Sequence, residues 1–284
     1  MRIFANKLLL VVDTPPSSYK IKDWIKDLQK RGAISFSRKE AEKAFPGLSE
    51  TAVSSALNRQ VQKNEILAIW KGFYLIIPLK YANRGIMPPI LFIDDLMKHL
   101  NRTYYVGLLN AASYYGSSHQ QPQDYMVFCK PPALRPMKKK GVTVNFVCRK
   151  NIAENMLTEV KTETGFVKFS SLALTVADLI YFQNKIGGIN RSVSVLNDLT
   201  EVLKPNDWSA SFFQHTPIAT IQRLGYILEE VLLKEPLADS LYNAAKSRHC
   251  VFQKTALKPG RDIAGSQANK RWNIIINEHI NLDE

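Results

Sequence analysis

The stretch Ser37–Ile77 constrains the fold of this chain more than any other part of its 284 residues. Ser37 is followed three residues later by Glu40, which is the spacing of a capping box at the start of a helix. Pro46-Gly47 then ends the helical pattern. Ser49 is positioned to cap a second helix, whose apolar residues recur at helical spacing. The stretch therefore predicts two short helices joined by a tight turn, with Leu48 filling the core at that turn.

Two β-rich runs, Ile66–Trp70 and Phe73–Ile77, follow the second helix. They are separated only by Lys71-Gly72, and the glycine can adopt the positive φ that a tight hairpin turn requires. A helix, a turn, a second helix and a hairpin are, in that order, typical of a winged helix-turn-helix, which places its second helix in the major groove of DNA. The sequence thus predicts a DNA-binding module.

The exposed face of the second helix carries side chains suited to reading DNA. Small hydroxyl groups near its start permit close approach, and Asn and Arg further along can reach base edges or phosphates. The predicted major-groove residues are Ser49, Thr51, Ser54, Ser55, Asn58 and Arg59. The predicted phosphate contacts are Lys71 on the hairpin together with Arg38, Lys39 and Lys63.

The net charge of +13 and the isoelectric point of about 9.6 indicate an anionic partner. Residues 1–80 have 14 basic and 7 acidic side chains, and residues 81–160 have 10 and 5, whereas residues 161–284 have 14 and 13. This bias favours nucleic acid over a uniformly solvated basic surface. A second phosphate contact is predicted in the loop PPALRPMKKKG, at Arg135, Lys138, Lys139 and Lys140.

The length of the chain predicts about two domains. Residues 1–80 are predicted to be the winged helix-turn-helix domain, and residues 81–89, with Asn, Gly and two prolines, a linker. Residues 90–284 are predicted to be a larger mixed α/β domain, in which Leu91–Leu100 and Tyr104–Tyr115 are helical. The predicted fold class is therefore α+β, an N-terminal winged helix-turn-helix followed by a larger mixed α/β domain.

The sequence contains few patterns that would indicate an enzyme. The five histidines show no metal-ligand spacing, and there is no P-loop, GxSxG or dinucleotide fingerprint. One pattern is of interest: Asp124 with Glu159-Val160-Lys161 resembles the carboxylates and lysine of a metal-dependent nuclease. Glu-x-Lys is, however, common on strands with one wet face. The sequence predicts a protein that is not an enzyme, with no catalytic residues, no metal site and no cofactor.

The cysteines Cys129, Cys148 and Cys250 show no paired spacing, which suits a reducing compartment. The apolar run Leu8–Val12 is too short for a signal peptide. No stretch approaches the about 18 apolar residues of a membrane span. We therefore expect a soluble, cytoplasmic protein without a membrane partner.

Several phrases of the sequence resemble one known family. They are GAISFSRKEAEKAFPGLSETAVSSALNRQVQKNEILAIWKGFYLIIP, PPILFIDDLMKHLNRTYYVGLLNAASYYG, YMVFCK, VTVNFV and SSLALTVADLIYF, in this order. Together they are similar to the AbiEi family, the antitoxins of bacterial abortive-infection, type IV toxin–antitoxin systems. The resemblance is clearest over Lys20–Phe182.

The resemblance implies a winged-helix transcriptional regulator that binds inverted repeats in its own promoter and represses the toxin–antitoxin operon. It implies that the second domain assists DNA binding and is associated with antitoxicity. The implied functional partner is a nucleotidyltransferase-like toxin, countered without a stable complex. A palindromic site would be occupied by two copies of the protein. We therefore expect a monomer in solution or a dimer on DNA. Two alternatives stay open: a metal-dependent nuclease guided by the winged helix, and a protein-interaction subunit of a phage-defence system.

Overall fold

The computed structural model describes residues 19–117 and 122–281, and the run Leu8–Val12 lies outside them. The chain forms two compact units. The first extends to Leu100 and includes Lys139–Gly141, and the second comprises Asn101–Lys138 and the chain from Val142 onward. The domain boundaries inferred from the sequence stay a prediction. Among residues 19–117 and 122–281, each helix is too short or too polar to span a membrane.

The first unit has the topology of a winged helix-turn-helix. Its elements are α1 (Ile21–Lys30), β1 (Ser35–Ser37), α2 (Arg38–Ala44), α3 (Glu50–Gln62), β2 (Ile66–Trp70), β3 (Phe73–Ile76) and α4 (Ile93–His99). β1, β3 and β2 form an antiparallel three-stranded sheet in that order, and the β2–β3 hairpin is the wing.

The start of α2 and the turn of the wing are fixed by local hydrogen bonds. Ser37 Oγ accepts from Glu40 N at 3.2 Å, and Glu40 Oε2 accepts from Ser37 N at 2.7 Å, which confirms the predicted capping box. At the wing turn, Gly72 adopts a φ of 70°. Its carbonyl oxygen accepts from Arg38 N at 2.8 Å, so the wing turn is bonded to the first residue of α2.

The core of the first unit is rich in aromatic side chains. Phe36 stacks on Tyr74 with ring centroids 5.3 Å apart, and Trp24 meets Phe36 edge to face with ring centroids 5.0 Å apart. Phe45 is 6% exposed at the end of α2, whereas Leu48 is 47% exposed. The expectation that Leu48 fills the core at the turn is therefore wrong, because Phe45 already occupies the core there and the turn itself lies on the surface.

The segment 81–89, predicted to be a linker, contributes to packing. Ile86 and Met87 are 2% and 0% exposed. After it, α4 lies in the first unit, where Asp95 Oδ2 accepts from Ser35 Oγ at 2.6 Å. This part of the chain is consequently held by burial and does not run free through solvent.

The second unit is a mixed sheet covered by helices. Its elements are β4 (Tyr104–Val106), α5 (Leu108–Tyr114), β5 (Asp124–Cys129), β6 (Met137–Lys139), β7 (Val142–Cys148), β8 (Leu157–Thr162), β9 (Gly165–Ser170), α6 (Leu172–Tyr181), α7 (Ile189–Leu199), α8 (Ala210–His215), α9 (Ile218–Tyr226), α10 (Glu235–Ser247), β10 (Thr255–Ala256), β11 (Ala268–Asn269) and β12 (Ile274–Ile275). The six-stranded sheet has the order β6-β7-β5-β4-β9-β8, with parallel β5–β7 and β4–β9 pairs and antiparallel β4–β5 and β8–β9 pairs. A small sheet, β10-β12-β11, follows the helices. The predicted α+β fold class is confirmed.

Two segments of the second unit differ from their predicted conformation. Tyr104–Val106, predicted to begin a helix, is the strand β4, because it pairs with β5 on one side and β9 on the other. The basic loop is also shorter than predicted. Met137–Lys139 forms β6, and only Lys140 and Gly141, with φ values of 45° and 80°, make the turn into β7.

Trp272 anchors the helical part of the second unit. It is fully buried, its Nε1–H donates to Glu229, and its carbonyl oxygen accepts from Gln222 Nε2 at 2.7 Å. The indole lies against Gly225 of α9, where an added Cβ would be 2.2 Å from two ring atoms. The contact between α9 and the indole therefore requires glycine.

Candidate nucleic-acid interface

The helix α3 has an apolar side and, opposite to it, a polar side. Val53 and Leu57 are fully buried, which fixes the rotation of the helix about its axis. The predicted reading residues recur three or four positions apart and therefore share the opposite side. Of these, Thr51, Ser55, Asn58 and Arg59 are exposed and Ser54 is half-buried.

Two of the predicted reading residues have a structural role at the start of α3. Ser49 Oγ accepts from Ala52 N at 3.2 Å and lies 2.9 Å from Thr51 Oγ1. The Ser49 hydroxyl thus caps the first turn of α3, and the two hydroxyl groups hydrogen-bond to each other. Of the predicted reading residues, Ser55, Asn58 and Arg59 lie further along α3 and are exposed.

Arg38 is held by two carboxylates of its own unit. Its Nε donates to Glu42 Oε1 at 2.6 Å, and its Nη2 donates to Glu50 Oε2 at 2.9 Å. The hydrogen bond that Arg38 donates to Glu42 raises the pKa of Arg38 above its ordinary value. The guanidinium links α2 to the first residue of α3.

The other predicted phosphate contacts of the first unit are exposed lysines. Lys39 lies on α2, Lys63 follows the last residue of α3, and Lys71 occupies the turn of the wing. Lys139 and Lys140 are grouped with this unit by their contacts, and Lys140 Nζ donates to Asn64 Oδ1 at 3.3 Å just beyond α3.

Arg135 and Lys138, the remaining predicted contacts, belong to the second unit and are exposed.

The carboxylates of the nuclease alternative do not come together. Asp124 is the first residue of β5 and Glu159 lies on β8, with β4 and β9 between them. Three strand spacings of about 4.8 Å place them roughly 14 Å apart across the sheet. Asp124 accepts from Asn145 Nδ2 at 2.8 Å, and Glu159 lies opposite Lys168. Among residues 19–117 and 122–281, no cluster of three or more His, Cys, Asp or Glu side chains could hold a metal ion.

The second unit contains a buried ion pair that the sequence did not predict. Asp178 on α6 is 1% exposed, and its carboxylate accepts from Arg149 Nη1 and, at 2.8 Å, from the hydroxyl of Tyr105. Burial raises the pKa of Asp178, while the charge of Arg149 and the hydrogen bond from Tyr105 oppose that shift. The available signal was Asp178 itself, a lone acid in the otherwise apolar helix LALTVADLIY.

Comparison with known proteins gives a family and a fold. No curated protein matches the chain. The crystal structure of the RV2827C protein from Mycobacterium tuberculosis is similar to this one, with a TM-score of 0.62, 14% sequence identity and coverage of 89% of each chain. At that identity the likeness establishes a common fold.

Residues 105–230 match the model of the AbiEi antitoxin C-terminal domain. The match covers β4 to α9, which include the six-stranded sheet and the buried Arg149–Asp178 pair. The chain thus carries an AbiEi antitoxin C-terminal domain, which supports its resemblance to the AbiEi family of antitoxins.

Proposed function

We propose that this antitoxin binds DNA through α3 and the wing and represses its own toxin–antitoxin operon. The observation that carries the proposal is the helix-turn-helix itself. α3 is held by its buried side, Asn58 and Arg59 are exposed on its other side, and Lys71 lies at the turn of the adjoining wing. Side chains of these types read base edges and contact phosphates in the major groove.

The proposed target is the inverted repeats of the promoter, occupied by two copies of a protein that is monomeric in solution. A dimer on DNA would match the two-fold symmetry of such a site. The cations Arg135, Lys138, Lys139 and Lys140 would add phosphate contacts. The toxin would be a nucleotidyltransferase-like protein of a type IV system in the cytoplasm, countered without a stable complex.

Replacing Arg59 by alanine should weaken binding to the operon's own promoter by about tenfold or more. The reason is that one good side-chain contact to a base contributes about 1–3 kcal/mol of discrimination. Fluorescence anisotropy at physiological salt, with a shuffled duplex beside the promoter, would measure this. Affinity for the shuffled duplex should change much less.

The matched control is Lys26→Ala, which removes one exposed positive charge from α1, outside the helix-turn-helix. It should change the affinity for the promoter by less than about twofold, as expected for one distant surface charge at that salt. Equal affinities of wild type and Arg59→Ala for the promoter would remove α3 from the interface. An equal loss in both variants would mean that only net charge matters.

Neutralising Lys138, Lys139 and Lys140 with glutamine should make binding less dependent on salt. Each phosphate contact contributes about −0.9 to the slope of log K against log salt concentration, so the slope should become shallower by about that amount for every lysine in contact. Titrations at several salt concentrations give the slope. The pair Lys22→Gln and Lys26→Gln on α1 serves as control, and an unchanged slope in the triple variant would take β6 and its turn out of the interface.

A further inference from the structure

The second unit contains a cavity of about 370 Å³ beside the buried ion pair. It is bounded by the residues after β7, the end of α6, and the turn that joins α8 to α9. Its size lies within the range of small-molecule binding sites. The promoter-binding proposal gives this cavity no role.

Two buried hydroxyl groups in the cavity wall lack a hydrogen-bond partner. Thr216 and Thr220 are 5% and 1% exposed, both line the cavity, and Oγ1 of each has no partner. Leaving a buried hydroxyl group unsatisfied is unfavourable by about 1–3 kcal/mol. Both hydroxyls therefore have unused hydrogen-bonding capacity at the cavity wall.

The remaining polar groups of the wall favour an anion. The charge of Asp178 is balanced by Arg149, whose Nη1 donates to Asp178 and to the hydroxyl of Tyr105, and whose Nη2 donates to His215 O at 3.3 Å. These bonds leave the Nε–H of Arg149 and one N–H of Nη2 for other acceptors. Lys150 beside it is exposed and adds a positive charge.

The rim of the cavity has a flat apolar surface. Tyr181 is 52% exposed at the end of α6, and its ring meets that of Phe182 edge to face with centroids 4.6 Å apart. An exposed aromatic ring next to phosphate donors is suited to a stacked base. Asn151 and Gln214 also line the cavity and are exposed, so their amide groups could bond the edge of that base.

We infer that this cavity binds a mononucleotide, with its phosphate between Arg149, Lys150 and the hydroxyls of Thr216 and Thr220, and its base against Tyr181. The arrangement offers hydrogen-bond donors and positive charge inside and an aromatic surface outside, which are the two requirements of such a ligand. The inference concerns the second unit alone and is independent of promoter binding.

Isothermal titration of the full-length protein, freed of nucleic acid, with AMP, GMP, CMP and UMP tests the inference. At least one should bind saturably with a dissociation constant below about 1 mM. The nucleoside of the nucleotide that binds, which lacks the phosphate, should bind at least about tenfold more weakly, as expected when charge-assisted hydrogen bonds are lost. Absence of saturable binding by all four nucleotides would overturn the inference, as would equal affinities of the bound nucleotide and its nucleoside.

One isosteric double variant locates the site. The double substitution of Thr216→Val and Thr220→Val should weaken nucleotide binding by about tenfold or more, because both lost hydroxyls would have bonded the phosphate. Its melting temperature without nucleotide should not fall, since neither hydroxyl has a partner in the free protein. Unchanged nucleotide affinity in this variant would place the ligand elsewhere and contradict the assignment.

The control is Thr175→Val. Thr175 is fully buried on α6, outside the cavity wall, and its hydroxyl donates to Ser171 O at 2.8 Å. Because that bond is lost, the melting temperature should fall, while the nucleotide dissociation constant at 20 °C should stay within about twofold of wild type. A matching loss of nucleotide affinity in this control would mean that general loosening of the unit, and not the cavity, governs binding.

Discussion

Replacing Asp178 by alanine should lower the free energy of unfolding by about 3–5 kcal/mol, because it leaves Arg149 as an uncompensated charge in a largely buried site. Arg149 has 16% of its side chain exposed and Asp178 has 2%, so little water can replace the missing partner. The hydroxyl of Tyr105 would lose its acceptor as well. Urea denaturation monitored by far-UV circular dichroism would give the difference between the variant and the wild type.

The companion variant replaces both partners, Arg149→Met with Asp178→Leu. Removal of both charges avoids the burial of a lone ion, and apolar replacements of buried ion pairs are often neutral or stabilising. We therefore expect the double variant to be more stable than Asp178→Ala. If Asp178→Ala unfolds at the same urea concentration as wild type, the pair does not hold the second unit together.

Replacing Gly225 by alanine should lower the free energy of unfolding by about 3 kcal/mol or more. Overpacking a core usually costs about 1–3 kcal/mol, and here the new methyl group meets a ring that cannot move aside. Trp272 is fixed at two points, by the bond from its Nε1–H to Glu229 and by the bond from Gln222 to its carbonyl oxygen. A thermal denaturation curve would show the effect as a lower melting temperature.

Gly47→Ala is the matched control for Gly225→Ala. A Cβ at Gly47 has no heavy atom within 4 Å, and the residue lies in the exposed turn before α3. Alanine there should change stability by less than about 1 kcal/mol, through the conformational entropy of the unfolded chain. Equal melting temperatures for Gly225→Ala and wild type would show that Trp272 can repack. The contact between α9 and the indole would then not require glycine.

Local chemistry made the winged helix predictable from sequence. Three of its signals act within a few residues of the chain: the capping pair Ser37 and Glu40, the cap at Ser49 and the Lys71-Gly72 turn. Because they are local, their spacing in the sequence is enough to predict the structure. Leu48 shows the limit of such reasoning, because its hydrophobicity alone suggested burial although the turn that carries it lies on the surface. Local pattern predicts where a helix begins better than which neighbouring side chain is buried.

Long-range pairing explains what the sequence did not predict. Tyr104–Val106 has no strand periodicity of its own and becomes β4 only between β5 and β9. Arg149 and Asp178 are 29 positions apart and meet because β7 and α6 bring them together. The cavity beside them depends on three separate segments. No spacing rule joins such residues, so the candidate ligand site became visible only in the folded chain.

The hydrogen bond from Arg38 N to Gly72 O has a consequence for how the module would dock. It ties the wing turn to α2, whose first residue also connects through its side chain to α3. The wing is therefore preorganised, and DNA would not have to order it on contact. A preorganised surface loses little conformational entropy on binding. We expect association with DNA to be a single fast phase, limited by encounter and slowed by added salt, without a slower step of wing folding.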